Sequence, residues 1–155
     1  MAKTKIFLAT DHAGFELKEH IKLHLQKLGF DVQDEGALHF DPEDDYPEFI
    51  IKAAKKIGTI KNSKAIIFGG SGQGEAIVAN KVKGIRAAVF YGSNLEIVKL
   101  SRMHNDSNIL SIGARFVSKE KAIEAVNLWL NTEFSSESRH KRRLKQIENI
   151  EKKLK

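Results

Sequence analysis

Five times along this chain a short, β-prone apolar run gives way to a segment whose apolar residues recur at helical spacing. The runs lie at residues 5–10 (KIFLAT), 30–34, 64–68 (KAIIF), 85–90 and 108–112, and the helical segments at about 17–28, 47–57, 75–81, 94–103 and 118–130. Runs this short and apolar suit strands buried on both faces, and a helix between each pair can return the chain to the edge where the next strand begins. The expected architecture is α/β, with a five-stranded parallel sheet and helices on both sides.

Local signals agree with this alternation. Gly29 stands where a helix C-terminus favours glycine, and Pro47 suits a first helical turn. Ser118 opens a capping box that is only partial, because Lys121 stands where Glu or Gln would reach back. Ser135 and Ser136 offer a cap for one further helix, about residues 137–154. Its apolar positions, Leu144, Ile147, Ile150 and Leu154, form so narrow a stripe that the helix must dock on something, and a second subunit is favoured over its own domain. With no internal repeat, low-complexity tract or linker, residues 1–155 read as one domain. The acidic run 41–45 reads as a solvated loop without metal-ligand spacing.

Composition then excludes several classes of chemistry. The chain has no Cys, hence no disulfide, thiolate metal site or cysteine nucleophile. No apolar run exceeds five residues, and the start lacks a signal-peptide plan, so the expectation is a cytoplasmic protein without a membrane partner. The formal charge of +6 is concentrated in residues 136–155, which carry +5, against +1 for residues 1–135. A basic tail is often a nucleic-acid arm. Here no aromatic residue follows Phe134 to stack on bases, and nucleic acid becomes the lesser reading.

Ligands of open parallel sheets bind outside the carboxyl ends of the strands. Three unusual segments are assigned to that edge: Asp11-His12-Ala13-Gly14, the glycine loop 69–75 (GGSGQGE), and His104-Asn105-Asp106. The glycine loop fails both common phosphate patterns at one residue. A dinucleotide loop needs Gly, and a nucleotide-triphosphate loop needs Lys, where the chain has Glu75. A carboxylate repels a pyrophosphate but is stabilised as an anion at a helix start, which makes Glu75 an ionised, positioned base. Amides of residues 70–74 would then face an oxyanion formed when a carbon acid loses its proton. Against this stands the plain alternative that Glu75 merely complements the helix dipole.

His104 is either a structural histidine at a helix end or a proton carrier near neutral pH. Arg139 and Arg143 lie four apart on the last helix, as a phosphate clamp would require; Lys141, Lys145, Lys152 and Lys153 fit a solvated basic face better.

The segments TDHAGFELK (10–18), DDYP (44–47), GGSGQGEAIVANKVKGIRA (69–87), SRMHND (101–106), IGAR (112–115) and RHKRR (139–143) resemble, in order and along nearly the whole chain, the ribose-5-phosphate isomerase B family, which also contains galactose-6-phosphate isomerase subunits. The resemblance implies a three-layer, Rossmann-like fold with an additional C-terminal helix. It further implies aldose–ketose isomerisation of D-ribose 5-phosphate and D-ribulose 5-phosphate through a cis-enediolate, without metal or organic cofactor, in pentose phosphate metabolism. One branch of the family uses a Cys base at the position of Gly69; this chain resembles the branch with a Glu base on the glycine loop.

Carried over residue by residue, Glu75 becomes the base, with Ser71 and the loop residues Gly70, Gly72, Gln73 and Gly74 holding substrate oxygens. His104 opens the sugar ring. Asp11, His12 and Asn105 bind hydroxyls or ring oxygens, Tyr46 lines the pocket, and Arg115, Arg139 and Arg143 hold the phosphate, assisted by His12 or His140. The resemblance places the site at the interface of a homodimer, with a tetramer as the larger alternative. Two rival functions stand beside it: isomerisation of allose or galactose 6-phosphate, and a phosphosugar-binding module without turnover.

Overall fold

The computed structural model describes residues 4–154. Its strands are β1 (Lys5–Thr10), β2 (Asp31–Asp34), β3 (Ser63–Gly69), β4 (Ala87–Phe90) and β5 (Ile109–Gly113). The helices are α1 (Phe15–Lys27), α2 (Tyr46–Thr59), α3 (Gln73–Ala79), α4 (Glu96–Met103), α5 (Lys119–Asn131) and α6 (Ser138–Lys153). All pairings are parallel, and the strands lie in the order β2-β1-β3-β5-β4.

Alternate residues of the central strands feed two cores. Ile6, Leu8, Ile66, Phe68, Leu110 and Ile112 meet Leu17, Ile21 and Leu25 of α1, Val98 of α4, and Val126 and Trp129 of α5. Phe7, Ala9, Ala65, Ile67 and Ile109 meet Ile50, Ala53 and Ala54 of α2 and Ala79 of α3. Helices thus cover both faces, as expected of a parallel sheet. Trp129 is fully buried, and its indole N–H donates to Ser107 Oγ at 2.8 Å.

The expected elements are present with shifted ends. Gly29 ends the α1 turn at φ 83°, Pro47 falls in the first turn of α2, and Ser118 Oγ accepts from the Lys121 amide at 3.1 Å. α3 starts two residues earlier than the apolar spacing predicts, because Gly72 at φ 78° turns the chain directly into the helix. Leu28 completes the helical spacing of α1 yet is 56% exposed. Ser135 and Ser136 do not cap α6; Glu137 stands at its N-cap without a side-chain capping bond, its carboxylate accepting instead from Arg139 Nε at 3.0 Å.

Lys18, unremarkable in the sequence, lies on the buried face of α1 and is completely enclosed. Its ammonium donates to Asp34 Oδ1 and Oδ2 at 2.7 and 2.6 Å and to the Ala37 carbonyl at 2.6 Å. Lys22 adds a bond to Asp34 Oδ2 at 2.9 Å. The pair binds α1 to the end of β2, where Gly36 and Ala37 exchange backbone bonds with Thr10. Removing one member of a buried ion pair strands the other in a poor solvent. Lys18→Met should therefore lower the unfolding free energy by about 3 kcal/mol. Urea unfolding checks this, with part of the loss recovered when Asp34→Asn is added.

Candidate active site

β1 and β3 are neighbours in the sheet, but their following helices leave to opposite faces: α1 packs in one core and α3 in the other. Such a switch point opens a crevice beyond the strand ends. The buried Thr10 hydroxyl stitches the two ends together, bonding the Phe68 carbonyl at 3.0 Å. In this crevice lies an open cleft of about 590 Å³ lined by Asp11, His12, Ala13, Tyr46, Gly70, Ser71, Gly74, Glu75, Arg115 and Phe116.

Glu75 forms the floor and is 4% exposed. Its side chain turns back toward the end of β3, and a Cβ built on Gly69 would overlap its carboxylate. A glycine at 69 is therefore the condition for this placement of the acid. Burial raises the Glu75 pKa; its own amide opposes the shift and the nearby Asp11 charge adds to it. The sequence-based expectation, a carboxylate stabilised as an anion by the helix start, is corrected in sign, because loss of water outweighs the single amide bond.

The loop around Glu75 is tightly held. Gly72 packs against Gly113, and its carbonyl accepts from Ser111 Oγ at 2.7 Å. Ser71 Oγ accepts weakly from the Gln73 amide at 3.3 Å, while the Gln73 side chain points to solvent. The Tyr46 hydroxyl lies against Gly74 so closely that a Cβ there would overlap it. Arg115 lies over Gly70, whose carbonyl accepts the Arg115 amide at 3.1 Å.

Asp11 caps the His12–Gly14 turn through the Ala13 amide at 3.0 Å. Asp44 does not belong to a solvated loop: its side chain is 8% exposed, and Oδ1 accepts the His12 backbone N–H at 2.9 Å and His12 Nδ1 at 2.8 Å. His12 is pushed above the usual imidazole value chiefly by its hydrogen bond to Asp44, with burial opposing. Asp11, His12 and Asp44 present ligand-type atoms within 4.8 Å of one another; His12 and Asp44 are joined by their hydrogen bonds, while Asp11 is held by the Ala13 amide.

His104 and Asn105 are elsewhere. They end α4 and precede β5, and the Asn105 and Asp106 carbonyls accept from Arg86, the residue just before β4. In a parallel sheet the segment before a strand lies at the edge opposite the segment after one. A strand the length of β3 separates this turn from Glu75, roughly 20 Å. The expectation that all three segments share one edge is thus corrected. At the amino edge the His104 ring stacks on His140, with centroids 4.2 Å apart and planes at 15°. His140 is 3% exposed, its Nε2 makes no hydrogen bond and lies 3.8 Å from Glu137 Oε2, and burial, then His104 and Arg139, lower its pKa. Arg139 and Arg143 flank it on α6 with exposed side chains.

Sequence reasoning did not single out Arg86 or Arg102, which clamp this turn through Asp106. Arg102 bonds Asp106 Oδ1 at 2.9 Å and the Thr132 carbonyl at 3.1 Å, and Arg86 bonds Asp106 Oδ2 at 3.1 Å. The charged residues within SRMHND and GIRA are their only trace in the sequence.

The family described as Ribose/Galactose Isomerase matches residues 6–147. The chain belongs to this family. Ribose-5-phosphate isomerase B of Mycolicibacterium paratuberculosis is 41% identical over 140 residues, covering 90% of this chain and 87% of its own. The Mycobacterium leprae protein of that name is 38% identical over 152 residues, 98% of this chain and 93% of its own. Among solved structures, ribose-5-phosphate isomerase B of Mycoplasma genitalium with bound ribulose-5-phosphate aligns with a TM-score of 0.91 at 36% identity, covering 97% of both chains. The Clostridium thermocellum enzyme aligns with a TM-score of 0.90 at 42% identity, covering 96% of this chain and 98% of that one. The chain thus shares with these structures its Rossmann-like parallel sheet.

The raised Glu75 pKa has a stability consequence. The folded state holds this proton more tightly than the unfolded chain does, so ionising Glu75 lowers stability as pH rises through its folded value. Glu75→Gln should therefore melt at a higher temperature than the parent above neutrality, with the difference vanishing in acid. Thermal melts across pH measure this directly.

Proposed function

We propose that this protein is a cytoplasmic aldose–ketose isomerase that interconverts D-ribose 5-phosphate and D-ribulose 5-phosphate in pentose phosphate metabolism. The observation that carries the reading is the buried Glu75 carboxylate at the mouth of β3, beneath a loop rich in backbone amides. Family membership supports the substrate. In the open-chain aldose, Glu75 takes the proton from C2. The electron pair forms the C1–C2 double bond of a cis-enediolate, and the carbonyl oxygen takes the negative charge. Loop amides and Ser71 stabilise that oxygen. Returning the proton to C1 while the C2 hydroxyl passes its own proton to the C1 oxyanion gives the ketose, with a C1 hydroxyl and a C2 carbonyl. No electrons leave the sugar. The raised pKa of Glu75 suits a base that must hold a carbon-bound proton between the two steps.

Ring opening assigns a proton donor to His104, and the phosphate assigns cations to Arg139 and Arg143. In a single chain these lie at the far edge of the sheet from Glu75. We therefore read the working unit as a homodimer in which His104, Asn105, Arg139, His140 and Arg143 of one copy complete the cleft of the other. Ile147 and Ile150 on α6 and Leu154 just beyond it support this reading, since among the described residues they remain exposed.

Direct assay on ribose 5-phosphate, with allose and galactose 6-phosphates alongside, tests the substrate; a hexose rate far above the pentose rate would reassign it. Glu75→Gln should lower kcat by about a thousandfold. Gly69→Ala should fold normally yet lower kcat about a hundredfold, because the new methyl displaces the Glu75 carboxylate. Glu75→Gln and His104→Asn subunits, each inactive alone, should on mixing recover about a quarter of the parental activity, the share of intact sites in random dimers. A site built within one chain would recover none.

A further inference from the structure

One carboxylate beside the cleft has no part in the chemistry above. Asp44 reaches from the segment between β2 and α2, and a single oxygen, Oδ1, accepts both the backbone N–H and the Nδ1 of His12. The backbone bond ties the carboxylate to the start of the turn, so the ring bond has a fixed direction. An ionised carboxylate only accepts, and Nδ1 must therefore carry hydrogen. Nε2 is left as the polar atom of the ring that a ligand can use, and His12 lines the cleft.

The groups facing His12 are Asp44, Asp11 at the head of its own turn, and the Phe40 ring, edge-on at 6.4 Å between centroids. Both charged neighbours are acids, and both favour the imidazolium. On this chain His12 and Arg115 are the basic side chains that line the cleft, against the carboxylates Asp11 and Glu75. A phosphate dianion entering there requires those cations.

We infer that Asp44 is a positioning residue: it holds His12 with Nδ1–H on its own carboxylate and Nε2–H toward the ligand, so that the imidazolium binds the phosphate of the sugar phosphate. This rests on the isomerase reading for the identity of the ligand. Asp44 touches no reacting atom, and its effect is on binding rather than on the proton transfer at carbon.

The test compares Asp44→Asn, His12→Gln and the double variant in full-length protein across pH. Asparagine keeps an acceptor for the backbone N–H but removes the charge. In the parent, KM rises as pH climbs through the His12 titration. In Asp44→Asn that rise should begin at lower pH, with KM at neutrality about tenfold higher and kcat within about threefold of the parent. In the His12→Gln background, adding Asp44→Asn should change KM by less than about twofold, since the path through His12 is already gone. A KM increase that is equal at every pH and adds in full to that of His12→Gln would overturn the proposal, as would an unchanged KM.

Histidine nitrogen NMR of the parent gives an independent reading even where Asp44→Asn does not fold. A neutral His12 protonated at Nδ1 upholds the assignment, and one protonated at Nε2 defeats it. If the parent turns over no sugar phosphate, the isomerase reading falls separately. Inorganic phosphate titrated against the His12 resonances then decides the role of Asp44, with weaker binding in Asp44→Asn upholding it and equal binding overturning it.

Discussion

Parallel strands run in one direction, and this polarity governs everything that the fold can bring together. Whatever follows a strand lies at one edge of the sheet, and whatever precedes a strand lies at the other. Asp11, His12, Gly70, Ser71 and Glu75 follow β1 and β3 and converge; His104 and Asn105 precede β5 and do not. Side chains cannot bridge a separation of a whole strand, roughly 20 Å. The cleft and the His104–His140 stack therefore lie at opposite edges of one chain, and the proposed dimer is the arrangement in which they would act as two half-sites.

Within the first half-site, stability and chemistry pull in opposite directions. Burying Glu75 beneath the glycine loop raises its proton affinity, which disfavours the ionised state and, in the proposed reaction, would favour abstraction from carbon. Gly69 permits this by leaving open the volume that the carboxylate occupies. The same clearance explains why a side chain at position 69 and a carboxylate from position 75 exclude each other: both would fill one space. Around this acid the supports are rigid, from the Thr10 hydroxyl between β1 and β3 to the Lys18–Asp34 pair behind them.

Much of the fold was legible because burial periodicity is local. KIFLAT and KAIIF announce strands, and Leu17, Ile21 and Leu25 mark the inner face of α1. Glu75 stood out as an acid where phosphate loops carry Gly or Lys, which suggested a base, and the resemblance implied the same role. Lys18 and Asp44 were invisible for a physical reason. A lysine in an amphipathic helix and an aspartate in an acidic run look solvated until chain segments distant in sequence close over them. Arg86 and Arg102 escaped notice likewise, since their partners are mostly backbone carbonyls, which carry no sequence signature.

The sequence by itself determined the alternation of strands and helices, the glycine loop with its acid, and the family to which these motifs belong. All of these depend on residues near one another in the chain. Only the tertiary structure decided that β1 and β3 stand side by side, that Glu75 is desolvated, that Asp44 grips His12, and that His104 faces the opposite edge. Strand order and burial arise from contacts between distant segments, and the same local pattern is compatible with several of them until packing selects one.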